Sequence, residues 1–178
     1  LRGGLRRRHS RTATARADQV VAPEVPRRPV EKEGPNLGAF HDVDSIFAAA
    51  HVILRGDAAA ARGDLASARI EYDKARKVSK QLLSFYRDLS GAFRGLDARI
   101  PREMDEKGRE ALGLLAESDL RLAAIFRRQN QPEVAVPVLV EVVKLMTPSK
   151  PQGQKAYQSL VELGFVETEF KGASRPGS

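Results

Sequence analysis

The feature that most constrains the fold of this chain is an apolar repeat with helical spacing, which begins directly after Asp64. Between Leu65 and Phe93 an apolar residue recurs at every third or fourth position, which places these side chains on one face of an α-helix. No proline lies between Pro35 and Pro101, and alanine, the best helix former, is frequent there. The pattern predicts one long amphipathic helix with Asp64 as its N-cap.

The same spacing continues along the chain and predicts about five helices in total. We expect Asp42 or Asp44 to cap the first helix, and Gly164 to end the last in a left-handed conformation. The other expected helices occupy residues 44–61, 102–129, 133–146 and 152–163. The predicted fold class is therefore all-α.

The segment at residues 133–146 has features of both a strand and a helix. Five of its first ten residues are Val, which favours a buried strand, and Pro137 would remove one helical hydrogen bond. Ala135, Leu139 and Val142 nevertheless keep helical spacing, and a lone strand in a helical protein would lack a partner. We predict a helix that is bent in its first turns.

The first sixteen residues contain six Arg, and no acidic residue precedes Asp18. Such acid-poor, hydroxyl-containing segments resemble organelle transit peptides, and the lack of an apolar helical stripe favours a plastid over a mitochondrion. A disordered basic tail that binds RNA or nothing is the alternative, and a bacterial origin stays open. A linker with four prolines follows. Because the chain begins with Leu, we expect a fragment or a processed product.

These features divide the chain into three predicted regions. Residues 1–39 are expected to be a disordered basic leader and Pro-rich linker, residues 40–166 a helical domain, and residues 167–178 a disordered tail.

The net charge of +7 lies at the two ends of the chain. Residues 1–40 carry a balance of +5 and residues 171–178 a balance of +2, whereas residues 41–170 hold nineteen basic and nineteen acidic residues. Because nucleic-acid binding needs cations clustered on the folded surface, net charge gives no argument that the helical domain binds it. The absence of cysteine excludes disulfides and thiolate metal sites, and no apolar run is long enough for a membrane span.

The tripeptide Arg-Gly-Asp occurs twice, at residues 55–57 and 62–64. Adhesion receptors require this tripeptide in an exposed, extended loop, whereas Gly56 is predicted to lie within a helix. We interpret both glycines as helix-packing residues, and expect Gly63 also to permit a tight reversal of the chain.

Residues 63–78 resemble the second half of a tetratricopeptide repeat, which is a 34-residue helix pair. The family pattern has a small residue on the first helix, a Gly-Asp turn, and an Ala-aromatic-Ala series on the second. The matching residues are Gly56, Gly63, Ala68, Tyr72 and Ala75. A second copy follows 67 residues later, with Leu122, Ala123, Phe126, Ala135 and Leu139 at the matching positions.

The resemblance covers residues 49–163 and implies antiparallel helix pairs that stack as a short α-solenoid. The middle of the chain departs from the pattern, because Arg102, Glu106 and Arg109 fall where the second helix of a middle repeat should be apolar. Two arrangements stay open: three repeats, or two complete pairs joined by longer helices. Residues 44–90 also resemble a microtubule-interacting-and-transport three-helix domain, which is our second choice of family.

The resemblance also implies a partner-binding surface, since in this family the inner face of each first helix lines a peptide groove. The positions carried over are Ile53, Asp57, Arg87, Arg94, Leu120, Arg127 and Arg128. Four arginines on one strip would favour an acidic segment or C-terminus; the alternative is solvated arginines without a partner. The chaperone-binding Lys and Asn set of the family is not reproduced.

No motif indicates catalysis, since Walker, dinucleotide and nucleophile-elbow patterns are absent. The acids beside His41 are better explained as helix caps than as metal ligands, and the charged residues 101–110 as a solvated first turn. We predict a non-enzymatic interaction scaffold or assembly factor without cofactor or metal, in a plastid or, alternatively, a mitochondrion. An RNA-associated organellar protein, an accessory subunit of a larger complex and an enzyme of unrecognised type are the alternatives.

Overall fold

The computed structural model describes residues 45–170, which form five α-helices. Their bounds are α1 (Ser45–Ala61), α2 (Leu65–Phe93), α3 (Arg99–Arg128), α4 (Pro132–Met146) and α5 (Pro151–Glu162). No strand occurs within this range, so the predicted all-α class is confirmed. Each described helix end lies within three residues of its predicted position. The predicted N-caps Asp42 and Asp44, the basic leader and the last eight residues lie outside the described range.

The turn between α1 and α2 follows from two residues. Gly63 has φ +80°, a left-handed conformation that costs glycine little. The Asp64 carboxylate accepts a hydrogen bond from the backbone N–H of Ser67 at 3.0 Å, so the predicted N-cap of α2 is confirmed. No heavy atom lies within 4 Å of the position a Cβ of Gly63 would take. The packing role predicted for both glycines is therefore wrong for Gly63, which serves the turn through its backbone.

The valine-rich segment is a helix, as its spacing predicted. Pro132 lies in the first turn of α4, where a missing N–H costs nothing, and Pro137 lies on its exposed side. The valines divide between faces: Val138 and Val142 are buried, whereas Val134 and Val140 are more than a third exposed. Strand propensity is overridden here because one face of the segment packs on the core.

Consecutive helices pack against each other in chain order, and the contact between α2 and α3 is the largest. These two helices run antiparallel: Ser90 contacts Asp105 near the tip of the hairpin, and Arg76 contacts Asp119 further along. Both are uninterrupted, so no separate middle pair exists. Of the two arrangements left open by the sequence, the chain adopts helix pairs joined by longer helices.

The core consists of two clusters along the α2–α3 hairpin. One joins all five helices and includes Tyr72, Leu122, Phe126, Leu139 and Leu160. The other lies nearer the tip of the hairpin and includes Ala49, Leu82, Tyr86, Met104 and Leu115. Every predicted repeat position except Gly63 is buried: Gly56, Ala68, Tyr72, Ala75, Leu122, Ala123, Phe126, Ala135 and Leu139.

The residues after α5 return along that helix. Tyr157 donates a hydrogen bond to the backbone carbonyl of Thr168 at 2.7 Å, and its ring contacts that of Phe170 edge-on. Among residues 45–170, no helix combines the length and the apolar character needed to cross a bilayer.

Candidate interaction surfaces

The crossing of α1 and α2 depends on a residue without a side chain. A Cβ on Gly56 would lie 2.6 Å from Cδ1 of Tyr72, closer than two carbons can approach. The Tyr72 ring is 2% exposed and fills the space left by the glycine. The close approach that the repeat pattern implies at Gly56 is therefore present in the structure.

Asp57, next along α1, links three helices. Its Oδ1 accepts hydrogen bonds from the Tyr72 hydroxyl at 2.6 Å and from Nε of Arg121 at 2.8 Å. Arg121 also donates to the carboxylate of Glu117. Burial raises the pKa of Asp57, but the hydrogen bonds from Arg121 and Tyr72 outweigh it, and the net pKa lies below the usual range. Burial and the hydrogen bond to Asp57 raise the pKa of Tyr72.

A second charged cluster lies between α2, α3 and α4, with one buried carboxylate and three partly exposed side chains. Nε of Arg76 lies 2.6 Å from Oδ1 of Asp119, while the other end of its guanidinium pairs with Glu141, which Lys80 contacts at 2.8 Å. The contact between Arg76 and Asp119 lacks hydrogen-bond geometry. Within the described residues neither carboxylate oxygen of Asp119 has a hydrogen-bond partner, and the same is true of the buried Ser79 hydroxyl.

Asp119 has an unusual pKa because its side chain is fully buried. Burial raises its pKa to about 6, against the opposing effect of Arg76, and the nearby Glu141 adds to the rise. Such a carboxyl can act as an acid or base in an active site, but no substrate reaches a side chain with no exposed surface. We assign Asp119 to the packing of three helices.

A groove lies between α3 and α5 and has a volume of about 360 Å³. Its floor is apolar and its rim is largely basic. The lining residues are Glu117, Leu120, Arg121, Ala123, Ala124, Arg127, Leu139, Lys155 and Ser159. We call this feature the α3–α5 groove. Arg127 donates to Glu162 at 3.0 Å, whereas Lys155 is exposed and has no ion pair within residues 45–170.

The predicted partner-binding residues do not share one strip. Leu120 is only 7% exposed and Ile53 only 5%, because both are part of the core; Leu120 reaches the floor of the α3–α5 groove. Arg127 lies at the rim of that groove, and Arg128 is exposed at the end of α3. The other two arginines lie at the far end of the hairpin, because the second half of α2 runs beside the first half of α3.

Arg87 and Arg94 belong instead to a different surface at the hairpin end, which we define as residues 84–112. Arg87 lines a groove of about 230 Å³ together with Asp105 and Arg109. Arg94 lines an adjoining groove of about 420 Å³ with Arg102, Asp105 and Arg109. We call Arg87, Arg94, Arg102 and Arg109 the arginine surface.

Two arginines of this surface, Arg102 and Arg109, were not among the predicted binding residues, although the sequence pattern marks both. Arg102 and Arg109 occupy positions where the resembled repeat needs apolar residues, and a departure from a structural pattern marks a position with another use. The burial of Asp119 could have been predicted from its place on the apolar stripe of α3, four residues after Leu115 and three before Leu122.

No group of three His, Cys, Asp or Glu side chains within residues 45–170 has the arrangement of a metal site. His51 is exposed on α1, and the segment around His41 that the sequence explains as helix caps lies outside the described range.

Comparisons with known proteins leave the chain without a family assignment. The resemblances to tetratricopeptide and microtubule-interacting-and-transport domains therefore stay predictions. No protein-family model, curated protein or solved structure matches this chain.

Proposed function

We propose that this protein is a non-enzymatic interaction scaffold or assembly factor whose α3–α5 groove holds a segment of a partner protein. The observation that carries the proposal is the composition of that groove. Leu120, Ala123 and Leu139 provide an apolar floor, while Arg127 and Lys155 provide a basic rim. A groove of this kind fits a short peptide with one apolar side chain beside an acidic group.

The rim offers two kinds of cation to such a peptide. Lys155 has no ion-pair partner among residues 45–170 and can pair with a carboxylate of another molecule. Arg127, exposed and bonded to Glu162 at 3.0 Å, can exchange that partner for an incoming one. Exposed ion pairs contribute little to stability, so the exchange costs the fold little. The acid-poor first sixteen residues support a plastid, or alternatively a mitochondrion, as the place of action.

Site-specific photocrosslinking tests this function. A photoreactive residue replaces Ala124, which is exposed and lines the groove, and the control replaces Ala66, which is exposed at the start of α2. With a tag after Ser178, the groove position should crosslink a small set of proteins from one organellar assembly, and Lys155→Glu should abolish those products. The control should not crosslink them.

Three results would contradict the proposal. Products that are the same at both positions would indicate non-specific contact, and products that persist in Lys155→Glu would show that the basic rim has no role. Crosslinks to RNA instead of protein would favour the RNA-associated alternative, in which the basic ends of the chain are the functional part.

A further inference from the structure

The arginine surface is distinct from the α3–α5 groove and has a regular arrangement. Arg87 and Arg94 are seven residues apart on α2, and so are Arg102 and Arg109 on α3. The contact between Ser90 and Asp105 sets the register of the antiparallel helices. In this register Arg87 is within one residue of the position opposite Arg109, and Arg94 is within one residue of the position opposite Arg102. The four backbone positions form two rows that are about 10 Å apart along the helices.

The described part of the fold leaves these four charges without an ion-pair partner. None of them forms an ion pair with a carboxylate within residues 45–170, although the other two cations of the hairpin end, Arg99 and Lys107, pair with Asp97 and Glu103. Four like charges around two adjoining grooves repel each other, so an anionic group placed among them gains attraction and relieves repulsion. The arrangement indicates an anionic ligand.

The charge of the surrounding residues indicates which kind of anion. The hairpin end contains six basic and six acidic residues, so it has no net field of the kind that attracts a nucleic acid or an anionic membrane. Its arginines act at short range, where the guanidinium group pairs with carboxylates in a bidentate manner. This favours carboxylates of a protein partner.

A carboxylate at the centre of the arginine surface restricts which residue of the partner can lie there. Asp105 lines both grooves and accepts a hydrogen bond from the buried Ser90 hydroxyl at 2.7 Å, which holds the carboxylate in place. It repels an acid placed between the rows. Met104 and Leu112 line the first groove beside it and offer contact to an apolar side chain.

We propose that the arginine surface binds an acidic segment of a partner protein, with carboxylates at both ends and an apolar or basic residue in the middle. Carboxylates about 10 Å apart on one face of a helix are seven residues apart in sequence. The segment lies along the seam between α2 and α3 at the hairpin end.

The test uses the full 178-residue chain and designed fluorescein-labelled helical peptides. The probe peptide has glutamates seven residues apart on one face with leucine between them, and the control peptide has glutamine instead. The probe should bind the wild type, and Arg87→Glu with Arg102→Glu should weaken binding by about tenfold or more. The charge-matched control, Arg62→Glu with Lys144→Glu, should bind within about twofold of wild type.

A second peptide tests the central carboxylate. A glutamate in place of the central leucine should weaken binding to the wild type, and Asp105→Asn should restore it, because the repulsion is then absent. Circular dichroism of each variant shows that a loss of binding is not a loss of fold.

The proposal is overturned if the glutamate and glutamine peptides bind equally, or if the two double variants lose affinity equally. It is also overturned if the glutamate peptide fails to bind the wild type at about 1 mM, the limit of a weak contact. If a labelled single-stranded RNA bound more tightly than the glutamate peptide, and if that binding depended on Arg87 and Arg102, the ligand would be RNA and not a protein segment.

Discussion

Arg76 and Arg87 are eleven residues apart on the same helix, yet the structure uses them in opposite ways. Arg76 contacts Asp119 of α3 and Glu141 of α4, whereas Arg87 has no carboxylate partner within the described residues. The first arginine lies where three helices meet. The second is exposed on the part of α2 that packs mainly on α3 among the described helices.

This difference shows how one helical hairpin can hold some charges in contacts between helices and leave others exposed to solvent. A charge buried among three helices requires a partner in the fold, because an unpaired buried charge is strongly destabilising. A charge on an exposed two-helix surface has no such requirement, so its partner can come from another molecule. We call the region of α1, α4 and the adjoining halves of α2 and α3 the paired end, in contrast to the hairpin end.

The largest effect should come from removing the buried acid at the paired end. The pKa of Asp119 is about 6 in the folded chain and 3.8 as a free group, so the folded state binds more protons between these values. Protonated Asp119 therefore favours folding at low pH. As the pH rises from about 4 to above 6, its titration lowers the free energy of unfolding by roughly 3 kcal/mol. Asp119→Asn should remove this loss and become more stable relative to wild type as the pH increases.

Urea unfolding of both proteins from about pH 4 to about pH 7 measures this difference. Asp73, Arg76, Lys80 and Glu141 also face Asp119 and are the same in both proteins, so the two pH profiles differ through Asp119 and its coupling to these four groups. Parallel pH profiles of the two proteins would contradict this, because they would show that Asp119 has the same pKa in the folded and unfolded states.

Gly56→Ala should give the next largest effect. The new methyl group would overlap the Tyr72 ring, which is 2% exposed and is held by Asp57, so we expect a loss of about 1–3 kcal/mol in the free energy of unfolding. Gly91→Ala is the matched control, because nothing lies within 4 Å of its Cβ position. It should gain about 0.5–1 kcal/mol from helix propensity. Equal effects of the two changes would disprove the close crossing of α1 and α2.

Removing one hydrogen bond at the paired end and one at the hairpin end compares how much each end contributes to stability. Asp57→Ala leaves the buried Tyr72 hydroxyl without its acceptor and should cost about 1–3 kcal/mol. Ser90→Ala at the hairpin end leaves the exposed Asp105 free to bond with water, and should cost about 0.5–1 kcal/mol. If chemical denaturation gave Ser90→Ala the larger loss, the assignment of the structural role to the paired end would be wrong.

The smallest change in stability should follow reversal of the exposed arginines. Arg87→Glu with Arg102→Glu should leave the free energy of unfolding within about 0.5 kcal/mol of wild type, as is usual for surface positions without a partner. Thermal unfolding monitored by circular dichroism checks this. A larger loss would show that the fold depends on charges that the structure leaves unpaired.

The sequence predicted the helices well because their signals are local. Asp64, Gly63 and Pro132 mark helix ends through the conformations that these residues prefer, and the structure has them there. The charged contacts could not be predicted in this way. Arg121 pairs with Asp57 from 64 residues away, and such partners depend on how helices stack instead of on neighbouring residues.

The same limit explains why the predicted arginine strip is divided. Arg87, Arg94, Arg127 and Arg128 would share a face if each long helix were two repeat helices folded back on each other. Because α2 and α3 continue without a break, the first two lie at the hairpin end and the last two at the paired end.

Native-state hydrogen exchange along α2 and α3 can show whether the paired end stabilises the fold while the hairpin end is open for binding. We expect slow exchange for residues 68–79 and 115–126, with protection near the global free energy of unfolding. Residues 84–112 should exchange faster, through local opening. Equal protection along both helices would contradict the account, because the hairpin end would then be as much a part of the stable core as the paired end.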